Sequence, residues 1–226
     1  SKAECNNIVF SSSATVYGKP KYLPYDEEHP TNPVNPYGRT KLMIENIIHD
    51  WTKVDLKRKG TVLRYFNPVG AHESGQIGEE PIGIPNNLMP YIAQVADGRR
   101  EHLNIFGNDY ETADGTGARD YIHVVDLALA HIGALNQSKL DKFEILNIGG
   151  GKSTTVLELI KSFEDISGVT IKFKYSPRRD GDLAAFWANS SKSSEKMSWK
   201  PERNIKKICE DTWRWHKLNP TGYGRE

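Results

Sequence analysis

The chain has 226 residues, of which 37% are hydrophobic and 26% are charged, and its formal net charge at neutral pH is +1. That length allows one large domain, or one and a half, with ample material for a core. The near-zero charge gives no general electrostatic reason to bind nucleic acid or an anionic membrane, so we predict neither partner.

The first predicted elements form a crossover of parallel type. Residues 7–12 read as a buried strand, 37 to about 57 as a helix, and 60–66 as a second strand rich in β-forming residues. A strand, helix, strand order of this kind places both strands side by side in a parallel sheet. Residues 67–87 follow as a long irregular stretch rich in Gly and Pro, which is typical of a binding loop or lid.

The rest of the chain alternates in the same way. Helices are predicted at 88–97, 125–135, 155–166 and 205–216, strands at 103–106, 119–123, 144–148 and 169–175, and a polar Gly-rich loop at 107–117. Such alternation indicates an α/β fold.

Cysteine usage and hydropathy favour the cytoplasm. Cys5 and Cys209 lie far apart, and the seven histidines are scattered, so we predict no disulfide framework and no metal site. No apolar stretch reaches the eighteen or so residues of a membrane span, and the amino-terminal residues lack the regions of a signal peptide. We therefore expect a cytoplasmic protein.

Tyr37-Gly-Arg-Thr-Lys41 is the feature that most directly indicates chemistry. Residues four apart share a helix face, so the Lys41 ammonium can lie near the Tyr37 phenol and favour its ionised form. A phenol is otherwise a poor base at neutral pH, since its reference pKa is about 10. A serine hydroxyl from the run Ser11-Ser12-Ser13 would then hydrogen-bond the substrate oxygen that gains or loses the proton. This pattern predicts proton transfer beside a nicotinamide.

Two other patterns receive a structural interpretation. Tyr17 and Lys21 have the same spacing as Tyr37 and Lys41, but Gly18 and Pro20 break any helix between them. The run from Gly149 to Thr154 resembles a phosphate-binding loop, but its glycines are wrongly spaced for a triphosphate or a dinucleotide site. We predict a strand-to-helix turn with a Ser or Thr cap there.

Several longer motifs carry a resemblance to a known family. They are FSSSATVYG (10–18), YGRTK (37–41), RYFNPVGAH (64–72), IPNNLMP (84–90), IFGNDY (105–110), DGTGARDYIHV (114–124), PRRDGDL (177–183), and WRW (213–215) with NPTGYG (219–224). Together they closely resemble the UDP-glucose 4-epimerases, which are extended short-chain dehydrogenases, and the resemblance covers the chain from Asn7 onward.

The resemblance implies a role for each site residue. Tyr37 would be the catalytic base and acid, Lys41 would assist it and contact the nicotinamide ribose, and Ser13 would hold the sugar O4. Ser11, Ser12, Ser13, Tyr37, Lys41 and Phe66 would contact NAD, and Asn67, Asn87, Leu88, Asn104, Ile105, Phe106, Arg119, Tyr121, Arg179, Asp182 and Phe186 would contact the UDP-sugar. For each Arg the alternative is a surface ion pair, and for Phe66, Leu88 and Phe106 it is a place in the core.

The implied reaction is transient oxidation at sugar C4, rotation of the 4-keto sugar, and reduction on its other face, in galactose metabolism. Remote binding to the diphosphate and uracil would hold the intermediate while the ring turns. A bulky Phe186 should crowd an N-acetyl group, so UDP-glucose and UDP-galactose are the expected substrates.

The resemblance also implies the domain organisation. Residues 1–66 would be the last strands and the catalytic helix of a doubly wound Rossmann domain, and 67–226 mainly a smaller α/β substrate domain, with about 107–136 returning to the Rossmann lobe. The glycine-rich first turn of that fold is absent from this sequence. We therefore expect the 226-residue polypeptide alone to bind NAD weakly and to be inactive.

Three interpretations of function remain open at this stage. The first is the catalytic half and substrate domain of an epimerase, with a homodimer implied for the intact enzyme. The second is a non-catalytic sugar-nucleotide-binding or assembly module. The third is a related NAD-dependent dehydratase or decarboxylase of nucleotide sugars, which would be expected to carry further acid and base residues where this chain has Ser13-Ala14-Thr15.

Overall fold

The computed structural model describes residues 5–136 and 140–224. The strands are β1 (Asn7–Ser13), β2 (Lys59–Tyr65), β3 (Asn67–Val69), β4 (Leu103–Phe106), β5 (Ala118–His123), β6 (Phe143–Ile148), β7 (Ser153–Thr155), β8 (Phe173–Ser176) and β9 (Ala185–Phe186). The helices are α1 (Pro36–Val54), α2 (Leu88–Ala96), α3 (Val124–Asn136), α4 (Val156–Ser167), α5 (Ser191–Met197) and α6 (Ile205–Leu218), with a 3-10 turn at Ala14–Val16.

A parallel sheet of order β1-β2-β6 is built by the predicted crossover, with α1 between β1 and β2. Its register places Ser12 beside Arg64, and Arg64 beside Asn147. Successive strand residues face opposite sides of a sheet. Ser12 and Arg64 therefore face α1, while Ser11 and Tyr65 face α3, as their hydrogen bonds to those helices show.

The second sheet is centred on β5, which pairs with β3 and β9 in parallel and with β7 antiparallel. β4 and β8 form a separate parallel pair. Buried apolar side chains of α2, α4 and α6 form the main core here; they include Ile92, Leu159, Phe163 and Ile208. The ends of β3, β4 and β5 and the first turn of α2 consequently meet around one depression.

Several predicted boundaries need correction. α1 ends at Val54 rather than near 57, because Asp55 leaves the helical conformation and its carboxylate accepts the Lys57 N–H. The strand predicted from 169 begins only at Phe173, since the Ile171 N–H donates to the Glu164 side chain instead of a neighbouring strand. The 3-10 turn, β3, β7, β9 and α5 were not predicted; they are short and lack periodic patterns.

The surface of α1 is only partly covered within this chain. The helix has apolar residues almost all round, which predicts burial on several sides. Ile48 is buried, but Met43 is 60% exposed and Ile47 66% exposed. The reason is that α1 packs on β1, β2 and the 3-10 turn along one side only, within the described part of the chain.

None of the helices in residues 5–136 and 140–224 has the length and hydropathy needed to cross a membrane. Cys5 and Cys209 are both free thiols. Residues 1–4 of the amino terminus, which was predicted not to be a signal peptide, lie outside the described residues.

Candidate active site

The start of α1 is fixed against the end of β1. Asn35 caps the helix by accepting the Gly38 N–H at 2.8 Å, and Pro36 occupies the first turn, where its missing N–H costs nothing. A Cβ on Gly38 would lie 2.7 Å from the Thr15 carbonyl oxygen, so only glycine allows this approach. The first turn of α1 therefore lies directly beside the serine run.

Lys41 connects the helix to that run. Its Nζ donates to the Ser11 carbonyl oxygen at 2.8 Å and lies 5.5 Å from the centre of the Tyr37 ring. The Tyr37 side chain itself is 55% exposed, so its ring is open to a ligand. Tyr37 and Lys41 thus share one helix face at the carboxyl end of β1, the edge at which open α/β sheets bind ligands.

The three serine hydroxyls have different partners. The Ser11 hydroxyl is 3.2 Å from His131 Nε2, and the Ser12 hydroxyl donates to Glu45 Oε1 at 2.5 Å. Ser13 Oγ accepts bonds from the Thr15 N–H at 3.2 Å and the Thr15 hydroxyl at 2.9 Å. Among the described residues no acceptor is bonded to the Ser13 hydroxyl proton, which leaves it able to donate to a ligand oxygen.

A cavity of about 290 Å³ lies where β3, β4, β5 and α2 meet. The sequence-predicted substrate residues that line it are Asn67, Asn87, Leu88, Asn104, Ile105, Phe106, Arg119, Tyr121, Arg179 and Asp182. Of the predicted substrate residues, Phe186 alone does not line this cavity. Ile105 and Tyr121 line the cavity and also belong to the main core. Leu88 and Phe106 are half-buried, and Phe66 belongs to a separate aromatic cluster with Tyr17 and Tyr25.

Two guanidinium groups give this cavity its positive charge. Arg179 lies over the Phe106 ring, 3.9 Å from its centre, and has no carboxylate partner among the described residues. Arg119 donates to the Leu183 carbonyl oxygen at 2.8 Å, and its other terminal nitrogen is 3.7 Å from Asp182. Planar guanidinium groups held in this way match the geometry of phosphate oxygens.

A second cavity of about 210 Å³ adjoins the first. Arg119 and Asp182 line both cavities, and the second is also lined by Ala14, Thr15 and Phe186. Ala14 and Thr15 directly follow Ser13, so the two cavities form a path from the arginine pair to the serine run. The Phe186 ring forms part of its wall, with its centre 4.9 Å from the Arg119 guanidinium and 6.1 Å from the Phe66 ring.

The two patterns that were set aside both have structural contacts. Tyr17 is fully buried and donates to Asn147 at 2.6 Å, and burial raises its pKa to about 12, so it cannot serve as a base near neutral pH. Thr155 caps α4 in a capping box with Glu158, although the short strand β7 precedes the helix. A Cβ on Gly149 would lie 2.7 Å from Asp120 Oδ2, so the first of these glycines makes room for a protein carboxylate.

Asp120 is a buried residue behind the site that no motif indicated. Its Oδ1 accepts the Gly150 N–H at 2.6 Å, and its Oδ2 accepts the N–H groups of Gly151 at 3.0 Å and Ala188 at 2.9 Å. Burial raises its pKa to about 6, although these three N–H groups oppose that rise. Asp120 thereby connects β5, which carries Arg119 and Tyr121, to the segment that carries Phe186.

One residue of the cavity lining and one buried ion pair near the site were also absent from the predicted set. Tyr110 is buried, lines the larger cavity and has a hydroxyl with no hydrogen-bond partner among the described residues. Glu45 and Arg64 form a buried ion pair between α1 and β2. A signal for this pair exists in the sequence: Glu45 is the polar residue one turn after Lys41 on an apolar helix, and Arg64 interrupts a β-forming run.

A parallel sheet with Ser13 at the end of its first strand, and with Tyr37 and Lys41 one helical turn apart beside it, is the arrangement of a short-chain dehydrogenase. The model of a family described as GDP-mannose 4,6 dehydratase matches residues 1–212. Human UDP-glucose 4-epimerase is 54% identical over 222 residues, which are 97% of this chain and 64% of the human protein.

Two solved structures agree with that match. UDP-glucose 4-epimerase from Bifidobacterium longum, in complex with NAD+ and UDP, is 47% identical with a TM-score of 0.93, over 98% of this chain and 67% of that one. The enzyme from Stenotrophomonas maltophila, with bound NAD and formylated UDP-arabinopyranose, is 46% identical with a TM-score of 0.93. The match covers 97% of this chain and 66% of that one. The chain belongs to the UDP-glucose 4-epimerase family, and it spans about two thirds of the length of these relatives.

Proposed function

We propose that this chain carries the proton-transfer residues and the UDP-sugar site of an enzyme that interconverts UDP-galactose and UDP-glucose with NAD, in galactose metabolism. The observation that carries the proposal is the path formed by the two adjoining cavities. It begins at Arg119 and Arg179, which suit a diphosphate, and ends beside Ser13. A sugar attached to that diphosphate would extend toward the Ser13 hydroxyl.

The residues present fit the nicotinamide end of NAD. Tyr37 and Lys41 lie together at the carboxyl end of β1, with an exposed ring and a half-buried ammonium. The described residues offer no comparable cradle for the pyrophosphate, since Asp120 fills the Gly149–Gly151 turn. Bound NAD would supply the reversible hydride acceptor. The 226-residue polypeptide alone is expected to hold NAD weakly and not to turn over.

Each residue then has a defined task. Tyr37 takes the proton from the sugar O4 and later returns it, with the Lys41 ammonium close by to favour the charged phenol. Ser13 donates a hydrogen bond to the same oxygen. Arg119 and Arg179 hold the diphosphate, so that the sugar ring can turn while the nucleotide stays in place.

An epimerase is favoured over a dehydratase or decarboxylase of nucleotide sugars. Those reactions need acid and base groups beside the serine, where this chain has a buried Ala14 and a Thr15 whose hydroxyl donates to Ser13. The relative in humans, at 54% identity, is an epimerase. A non-catalytic nucleotide-binding module is the second candidate, because the arginine-lined cavity that suits a diphosphate is not itself lined by Tyr37 or Lys41.

Two measurements separate these candidates. Calorimetric titration of the 226-residue chain with UDP tests the larger cavity, and absence of binding contradicts the proposal. Conversion of UDP-galactose to UDP-glucose is then measured in a fusion protein, in which this chain follows the region that precedes the matched part of the human relative. Binding of UDP with turnover by the fusion protein supports an epimerase. Binding without turnover supports the non-catalytic module.

Phe186→Cys is expected to let the fusion protein accept UDP-N-acetylglucosamine. The ring walls the smaller cavity, and removing most of it opens the space where an acetyl group would extend. We expect kcat/KM for the acetylated substrate to rise at least about tenfold relative to UDP-glucose. Phe173→Cys, on the exposed strand β8, is the matched control and should leave the ratio unchanged. An unchanged ratio in the Phe186 variant would reject this role.

A homodimer in the cytoplasm is the remaining part of the proposal. Exposed apolar side chains on α1 and α3 support an interface; they include Met43, Ile47, Ile132 and Leu135. Free thiols at Cys5 and Cys209 fit a reducing compartment. Sedimentation equilibrium of the fusion protein is expected to give twice its chain mass. A single-chain mass at micromolar concentration would contradict the dimer.

A further inference from the structure

The ion pair between Glu45 and Arg64 is the most deeply buried charged contact near the site. Arg64 Nη2 is 2.6 Å from Glu45 Oε2, and Arg64 Nε donates to Oε1 at 3.1 Å. Glu45 is 2% exposed and Arg64 3% exposed. A planar guanidinium bonded through two nitrogens to two carboxylate oxygens fixes both distance and orientation.

The pair lies directly behind the proton-transfer residues. Glu45 is one helical turn from Lys41 and two turns from Tyr37, on the same face of α1. The same Glu45 oxygen that binds Arg64 Nε also accepts the hydroxyl of Ser12, the neighbour of Ser13. Glu45 thus connects α1 to β1 and β2 at the level of the serine run.

Stability alone does not account for such a pair. Ion pairs taken fully out of water are often no more stabilising than apolar side chains of similar volume. Here Arg64 Nη1 also remains buried without a hydrogen-bond partner among the described residues. What the pair provides, and an apolar contact does not, is a fixed rotation and height of α1 on the sheet.

We propose that Glu45 and Arg64 are positioning residues, which set the place of Tyr37 relative to Ser13 through the rigid first turns of α1. The proposal rests on the epimerase function proposed above. A displacement of about 1 Å at a reacting group can lower a rate about a hundredfold. Loss of the ion pair between Glu45 and Arg64 should therefore lower kcat. The UDP site is lined by other elements and should be unaffected.

The double variant Glu45→Leu with Arg64→Met tests this while keeping the fold. Glu45→Leu alone leaves a buried charge unpaired and is expected to lower the melting temperature by about 10 °C. The double variant removes both charges and should recover most of that loss, except for the cost of leaving the buried Ser12 hydroxyl without its acceptor. In the fusion protein we expect the double variant to show a kcat lower by about a hundredfold, with KM and UDP affinity unchanged.

Glu144→Gln is the matched control. Glu144 is also a buried carboxylate in an ion pair, with Lys192, but it lies near the opposite end of β6. The kcat of the fusion protein that carries Glu144→Gln should stay within about twofold of the wild type. A double variant that turns over at the wild-type rate would overturn the positioning role. A wild-type fusion protein that does not turn over would instead count against the proposed function.

Discussion

Tyr37→Phe is expected to lower kcat of the fusion protein by about a thousandfold and to leave UDP affinity unchanged. General acid and base groups contribute about 10²- to 10⁴-fold, and removing the hydroxyl leaves nothing at that position to accept or return the O4 proton. The exposed ring makes no hydrogen bond through its hydroxyl within the described residues, so the change should not destabilise the fold. Steady-state kinetics and calorimetry on the same samples check both parts.

Tyr175→Phe is the control for that experiment. Tyr175 is also an exposed tyrosine, but it lies on β8 and packs against Phe173 away from the serine run. The kcat of the fusion protein that carries Tyr175→Phe should equal that of the wild type. If the Tyr37 variant kept a tenth or more of the wild-type rate, another group would have to carry the proton.

Arg179→Met is expected to weaken UDP binding by the 226-residue chain about thirtyfold. Hydrogen bonds to charged groups contribute about 1.5–3 kcal/mol, and about 2 kcal/mol corresponds to that factor in Kd. Methionine retains an apolar stem over the Phe106 ring, so the cavity wall is preserved while the guanidinium is lost. Titration calorimetry with UDP measures the effect without requiring NAD or turnover.

The adjacent residue provides the control. Arg178 stacks on Tyr110 and pairs with Asp109 at 2.7 Å, on the exposed side of the loop and outside the cavity lining. Arg178→Met removes the same charge one residue away, so a nonspecific electrostatic effect would appear equally in both variants. We expect Arg178→Met to raise the Kd for UDP less than about threefold, because solvent and salt screen an exposed charge outside the cavity. Equal losses in the two variants would reject the assignment of Arg179.

The sequence predicted those features that depend on local pattern. The crossover from β1 through α1 to β2 follows from periodicity and from Pro36 at the helix start. The residues proposed to bind substrate were predicted from motifs, and the structure brings all except Phe186 to one cavity. Phe186 lines the adjoining cavity together with Arg119 and Asp182.

The features that depend on contacts between distant segments were not predictable in this way. Asp120 accepts N–H groups from residues about thirty and nearly seventy positions away, and nothing in its neighbours along the chain indicates this. β7 and β9 form strands only because their backbones pair with β5. The exposed face of α1 was predicted to be buried, since composition cannot distinguish contact with the same chain from contact with another.

The serine run shows how little a repeated residue type reveals about tolerance to change. Ser11 bonds a half-buried His131, so alanine there removes one contact that water can replace. The Ser12 hydroxyl donates a hydrogen bond to the buried Glu45 carboxylate. Alanine at this position would leave that carboxylate without one of its donors, where water cannot replace it. Ser13 is the member whose hydroxyl proton has no acceptor within residues 5–136 and 140–224. Three identical residues in a row therefore differ in their tolerance to substitution, and alanine at Ser11 should cost less stability than alanine at Ser12.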